Sequence, residues 1–161
     1  MKEWGKILIV ACYELGHQPL AVAWPAAFLG RAGFRPAALD LAVEAFDEAR
    51  VRRARLVALS VPMHTALRLG LEAAARVREV NPTAALCFHG LYAPLNARRL
   101  VAAGAVAVLG GECEEDLVAL ARAVEAGGDL SGFVRAGGTG ASLGRLDFPV
   151  PEWPTSTTFR T

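Results

Sequence analysis

Five short runs of apolar residues alternate along the chain with longer segments of mixed character. Runs of this length that are almost continuously apolar are typical of strands buried on both faces of a parallel sheet. The pattern therefore predicts five β-strands, at Lys6–Ala11, Arg35–Asp40, Leu56–Val61, Ala84–His89 and Ala105–Leu109.

The segments between the runs are rich in alanine, and several repeat apolar residues at the helical period. The clearest is Thr65–Val80, which stops at Asn81-Pro82, a common helix terminator. The first crossover allows two interpretations because of Pro25: a kinked helix that begins at Pro19, or a helix that begins near Trp24. The longer, kinked helix is favoured. The other predicted helices are Leu95–Ala103, Glu114–Ala126 and a short, poorly periodic Ala45–Arg53.

Alternation of strands and helices predicts an α/β fold, a five-stranded doubly wound parallel sheet with the flavodoxin-like strand order 2-1-3-4-5. Ligands of such folds bind beyond the carboxyl ends of the strands, where the first and third strands diverge. We expect this domain to span residues 1–126. Residues 127–161 are rich in Gly and Pro and predict an irregular extension, or a linker toward a missing domain, with a short strand at Phe133–Ala136.

Composition narrows the function classes. The chain has 161 residues, 53% of them hydrophobic, and a net charge of +1, which predicts one folded domain with no preference for nucleic acid or an anionic membrane. The longest apolar run, Ile7 to Tyr13, is too short to span a membrane. An odd number of cysteines without a close pair predicts a reduced, cytoplasmic protein: Cys12, Cys87 and Cys113.

Each of the three histidines comes just after a predicted strand, in loops that should share the ligand edge. His17 follows the first strand, His64 the third, and His89 ends the fourth. Three interpretations stay open: unrelated loop histidines, a shared ligand site, or a three-histidine metal site. The last has no carboxylate or cysteine at ligand spacing.

The first and third of these loops carry further groups suited to a ligand. Gly16 would let the backbone approach a ligand, with Tyr13 and Gln18 covering a flat molecule, although a plain strand-to-helix connection accounts for the loop equally well. In the third loop, Ser60 and Thr65 offer hydroxyls. Met63 offers a pliable apolar contact there, and Thr65 is also a candidate N-cap.

The fourth and fifth loops offer an apolar platform and flexible backbone. Leu91 and Tyr92 follow Gly90 and would suit a planar ligand, unless they pack on a neighbouring helix. Gly110 and Gly111 would admit a ligand to the backbone next to Glu112. The acidic run that follows, Glu114 to Asp116, is explained by the dipole of the next helix.

Taken together, these loop sequences resemble the N-terminal cobalamin-binding domain of cobalamin-dependent radical SAM proteins. The resemblance covers roughly residues 5–151 and is carried by Tyr13–Pro19, Ser60–Ala66, Cys87–Ala93, Gly110–Glu112 and Asp147–Pro151, the last resembling a link into a following domain.

The resemblance implies a corrin ring lying flat across the carboxyl edge of the sheet, with its nucleotide tail threaded between the first and third strands. It also implies that the chain alone is not catalytic and presents the cofactor to a radical SAM domain in the same or another chain. The implied cofactor-binding residues are Tyr13, Leu15, Gly16, His17, Gln18, Ser60, Met63, His64, Thr65, Gly90, Leu91, Tyr92, Gly110, Gly111 and Glu112.

Two departures from the family pattern change what is expected. Many cobalamin domains carry Asp-x-His-x-x-Gly after the first strand, but Leu15 and Leu20 stand at the Asp and Gly positions around His17. We therefore expect base-off cobalamin without a protein ligand on cobalt, His17 being the nearest candidate. The CxxxCxxC motif is absent, so no iron–sulfur cluster is expected in this chain.

Two other functions remain open on sequence grounds. One is a cobalamin-free, flavodoxin-like interaction or regulatory module. The other is a small-molecule enzyme that uses the edge formed by His17, His64 and His89.

Overall fold

The computed structural model describes residues 2–15, 17 and 19–134. Its five strands are β1 (Ile7–Ala11), β2 (Ala37–Asp40), β3 (Leu56–Ser60), β4 (Ala85–His89) and β5 (Ala107–Leu109). Its helices are α1 (Leu20–Arg31), α2 (Glu48–Arg53), α3 (His64–Val80), α4 (Ala97–Ala102) and α5 (Glu114–Ala126), with single 3-10 turns at Pro94–Asn96 and Ser131–Phe133.

All five strands are parallel, and their order is β2-β1-β3-β4-β5. This confirms the predicted α/β class and the flavodoxin-like order. The pairing register brings the strand ends level with one another. One row of paired residues therefore marks the carboxyl edge of the sheet: Asp40, Ala11, Ser60, His89 and Leu109.

The sheet is buried on both faces, which is why its strands are almost continuously apolar. Alternate residues along each strand face opposite sides. One side packs against α2, α3 and α4 through residues such as Val51, Leu67 and Leu100. The other packs against α1 and α5 through residues such as Leu29 and Leu120.

Helix α1 contains Pro25, as the longer of the two interpretations predicted. Proline has no N–H, so the carbonyl four residues earlier loses its helical partner. Pro25 is buried. Helix α2 is shorter than predicted because Asp47 ends the preceding loop as an N-cap, its carboxylate accepting from the Arg50 N–H at 3.0 Å.

A buried amide joins the ends of α3 and α2. Asn81, which follows α3, is only 9% exposed. Its Nδ2 donates to the carbonyl of Val51 at 2.9 Å and to that of Ala54 at 2.8 Å. These two acceptors lie at the end of α2, so Asn81 both terminates one helix and satisfies the last carbonyls of another.

The fold continues past α5, beyond the predicted boundary at residue 126. Leu130 and Phe133 pack on the core layer beneath α1 and α5. Val134 then makes an isolated parallel bridge with Val108 of β5, at the position of the predicted short strand. The remainder of the Gly/Pro-rich extension, residues 135–161, lies outside the described residues, as do Gly16 and Gln18. No helix within the described ranges is long and apolar enough to cross a membrane.

Candidate functional site

Two polar side chains lie side by side at the carboxyl ends of β3 and β4. Ser60 is paired with His89 in the sheet, and strand alternation directs both toward α1 and α5. Their exposed fractions are 1% and 2%, and Ser60 Oγ and His89 Nε2 have no hydrogen-bond partner within the described part of the chain. Burial lowers the pKa of His89 to about 4, because the charged imidazolium is desolvated. His89 is therefore neutral at pH 7.

The three histidines do not form one accessible surface. His17 and His64 are exposed, whereas His89 is enclosed in the core. No group of three or more His, Cys, Asp or Glu side chains among the described residues is placed to hold a metal ion. Of the three interpretations of the histidines, the three-histidine metal site is therefore not supported by this arrangement.

The first loop presents an apolar side chain from a strained backbone. The His17 N–H donates to the Glu14 carbonyl at 3.0 Å and closes a turn. Leu15, within this turn, has φ +53° and is 62% exposed. The left-handed region costs a residue with a Cβ roughly 1–2 kcal/mol. Leu20, at the start of α1, is 67% exposed.

The two residues of the predicted apolar platform in the fourth loop, Leu91 and Tyr92, lie in different environments. Leu91 is 69% exposed. Tyr92 is half-buried and packs against the core layer beneath α2, α3 and α4. The Tyr92 N–H donates to the Val61 carbonyl at 3.1 Å, and its own carbonyl accepts from Asn96 Nδ2 at 2.9 Å. The interpretation that this pair packs on the protein therefore holds for Tyr92, while Leu91 faces outward.

Two of the predicted ligand-contacting glycines are required by the packing of the chain itself. Gly90 has φ +109°, and a Cβ there would lie 3.2–3.3 Å from backbone atoms of Val61 and Pro62. A Cβ at Gly110 would lie 2.1 Å from Cγ of Pro94. These contacts explain both glycines without a ligand. Gly111, with φ +68°, and Glu112 are exposed at the start of the fifth loop.

The third loop differs from the prediction in its helix cap. Helix α3 begins at His64, and Met63 occupies the N-cap position with an extended backbone and no side-chain hydrogen bond. Thr65 is therefore exposed within the first turn of the helix and is not the N-cap. Met63 is half-buried, so Thr65 and His64 are the side chains that this loop offers to solvent.

Two carboxylates near the same edge, the half-buried Glu14 and the buried Asp116, are not indicated as candidate groups by the sequence pattern. Glu14 Oε1 and Asp116 Oδ2 are buried without a partner among the described residues. Burial, and then the charge of Asp40, raise the pKa of Glu14. The helix dipole alone would explain Asp116 as an exposed acidic residue of the first turn. Asp116 nevertheless lies on the same helical face as Leu117 and Leu120 in α5, and this spacing indicates burial.

A cleft of about 580 Å³ lies at the opposite edge of the sheet and has a structural explanation. Arg78 Nη1 donates to the Pro82 and Ala84 carbonyls at 3.1 and 2.8 Å. Arg55 Nη2 donates to the Val124 carbonyl at 3.1 Å. These guanidinium groups bind the backbone, so their hydrogen bonds give this cleft a structural role.

The topology and the strand-end residues define the class of this protein as a doubly wound, flavodoxin-like α/β domain. No protein-family model matches the chain, and no curated protein matches it either. The likeness to a particular family therefore depends on the loop sequences alone.

Proposed function

We propose that the chain is a cobalamin-binding module that holds the corrinoid base-off at the carboxyl edge of its sheet and presents it to a radical SAM domain. The observation that carries the proposal is that exposed apolar side chains of the loops and polar side chains of the strand ends occur together at this edge. Leu15 and Leu91 expose apolar side chains from the first and fourth loops, and Ser60 and His89 end the central strands beneath.

The residues present fit this cofactor. A corrin offers a broad apolar face, which Leu15 and Leu91 would contact, and such contacts with apolar side chains are typical of cofactor sites. A polar atom of a nucleotide tail threaded between β1 and β3 would pair with the unpartnered Ser60 hydroxyl, which is only 1% exposed in the free chain. Gly90 and Gly110 allow the loops to pack closely, because Val61 and Pro94 lie where a Cβ atom would be. The two glycines therefore leave no free space for the ligand.

The described cysteines near this edge would not offer cobalt a thiolate ligand. Burial raises the pKa of the Cys12 thiol to about 12 and that of Cys113 to about 11, so neither is a thiolate at neutral pH. The imidazole of His89 is enclosed in the core, whereas His17 in the first loop and His64 at the start of α3 are exposed. When bound, cobalamin supplies the cobalt chemistry, and the protein supplies position and electrostatics.

The test is a titration of the full chain with hydroxocobalamin, followed by absorbance and by co-elution on gel filtration. Leu91→Glu should raise the dissociation constant at least about tenfold, since it replaces an apolar contact with a charge. Val101→Glu is the matched control, because Val101 is also exposed (43%) but lies near the end of α4, away from the carboxyl edge.

An unchanged corrin spectrum and no co-elution at high micromolar protein would reject the proposal. That outcome would favour the cobalamin-free interaction module, for which Leu15 and Leu91 would be protein contacts. Equal weakening by Leu91→Glu and Val101→Glu would show that the fourth loop is not part of the site.

A further inference from the structure

Helix α1 is apolar on its outer face as well as its inner one. Arg31 is the single charged or polar residue among its twelve. Leu20 and Trp24 are 67% and 60% exposed on the side away from the sheet. A helix that is apolar all round is typically covered on all sides. By contrast, exposed positions of α3 carry charges such as the Arg68–Glu72 ion pair at 2.9 Å.

The outer face of α1 adjoins a groove that it shares with α5. The groove has a volume of about 490 Å³ and an apolar floor that includes Phe28, Val118 and Ala119, with the Arg31 guanidinium 4.2 Å from the centre of the Phe28 ring. Glu115 and Arg122 lie on its α5 side. Neither of these two side chains forms an ion pair within the described part of the chain. An apolar centre with a polar rim is typical of protein interfaces.

The spacing of the charges points to a particular partner. Glu115 and Arg122 are seven residues apart on α5, which places them on one side of the helix, about two turns from each other. The midpoint between them falls between Val118 and Ala119. A twofold axis through that midpoint, perpendicular to α5, would set Glu115 of each copy opposite Arg122 of the other. Isologous dimers require such self-complementarity.

We propose that a second copy of this chain covers the α1–α5 face, forming a twofold dimer in which α5 pairs antiparallel with its counterpart. The small Ala119 near the axis allows the two helices to approach closely, and the outer face of α1, with Trp24 and Phe28, extends the apolar contact on both sides. The residues of this face include none of those proposed to contact the cofactor, so the dimer does not depend on cofactor binding.

Charge reversal gives a direct test. By light scattering coupled to gel filtration, the native full chain should have a mass of twice 17.0 kDa. Glu115→Arg or Arg122→Glu alone sets like charges opposite each other and should raise the dimer dissociation constant at least about tenfold. The double reversal should restore the dimer, and a mixture of the two single variants should form heterodimers. Glu72→Arg, on the exposed side of α3, is the matched control and should leave the dimer unchanged.

Cross-linking gives a second, independent readout. Ala119→Cys places one thiol from each copy near the axis, and oxidation should link two chains covalently, whereas Ala75→Cys on α3 should not. The native cysteines are all buried and give little background. A monomeric native chain at high micromolar concentration would overturn the proposal, as would a dimer that survives both single reversals. A circular dichroism spectrum like that of the native chain ensures that a lost dimer is not a lost fold.

Discussion

Acid should destabilise this fold through a single buried histidine. Burial lowers the pKa of His89 from its ordinary value of 6.5 to about 4 in the folded state, so the unfolded chain binds the proton more tightly. Stability should therefore be independent of this group above about pH 6.5. It should fall as the pH drops from 6.5 to 4, and change no further below that.

The magnitude follows from the shift. A difference of about 2.5 pKa units corresponds to about 3 kcal/mol of unfolding free energy at about 1.4 kcal/mol per unit. Roughly 2 kcal/mol of this should already be lost at pH 5. Glu14 acts in the opposite direction, because its raised pKa makes the folded state bind its proton more tightly as the pH falls.

The assay is urea unfolding followed by circular dichroism at pH 7 and at pH 5. In His89→Gln, the loss of unfolding free energy between these pH values should be smaller than in the native chain by about 2 kcal/mol. The contribution of Glu14 is present in both proteins and cancels in this difference. His64→Gln removes an exposed histidine and should keep the native loss. If His89→Gln loses as much stability as the native chain, His89 is not enclosed as described.

Three further outcomes are expected. Asn81→Ala should lower the unfolding free energy by about 2 kcal/mol in urea titrations, because the Ala54 carbonyl loses the Asn81 amide donor and the Val51 carbonyl keeps only the Ala54 N–H. An unchanged value would refute that role. Leu15→Asn should leave the unfolding free energy unchanged or raise it by up to about 1 kcal/mol, since Asn tolerates positive φ. The same variant should weaken hydroxocobalamin binding severalfold, and tighter binding would contradict an apolar contact by Leu15. His17→Ala should give the same base-off cobalamin spectrum as the native chain, whereas loss of a nitrogen-ligand signal in the Co(II) form would show that His17 binds cobalt.

Strand positions and order could be predicted because burial on both faces leaves a strong signal. Each predicted strand contains the observed one, with differences of at most two residues at an end. The weakest helix prediction, Ala45–Arg53, overlooked the capping Asp47, whose hydrogen bond to the Arg50 N–H decides where α2 begins. Leu130 and Phe133, which follow the predicted domain end at residue 126, pack on the core through partners that are distant in sequence.

The candidate site was harder to predict because neighbouring loop residues of similar hydrophobicity lie in different environments. Leu91 and Tyr92 are adjacent, yet one faces solvent and the other packs on the core. Gly90 suggested close approach of a ligand, but its positive φ and the nearby Val61 backbone already require glycine. A Gly90→Val variant would therefore strain the fold and could not isolate a loss of binding. Such distinctions depend on contacts between loops, which no local pattern contains.

The polar ends of the central strands remain the strongest reason to place function at this edge. In the same row of the sheet, Ala11 and Leu109 are apolar, whereas Ser60 and His89 each bury a polar atom. Leaving a polar atom buried without a partner costs about 1–3 kcal/mol, so two such atoms are expensive for a small domain. Ser60 also adjoins β1, where the direction of the strand order reverses and doubly wound sheets bind their ligands. A bound molecule that formed hydrogen bonds with these two atoms would offset this cost. The exposed Leu15 and Leu91 lie at the same edge of the sheet.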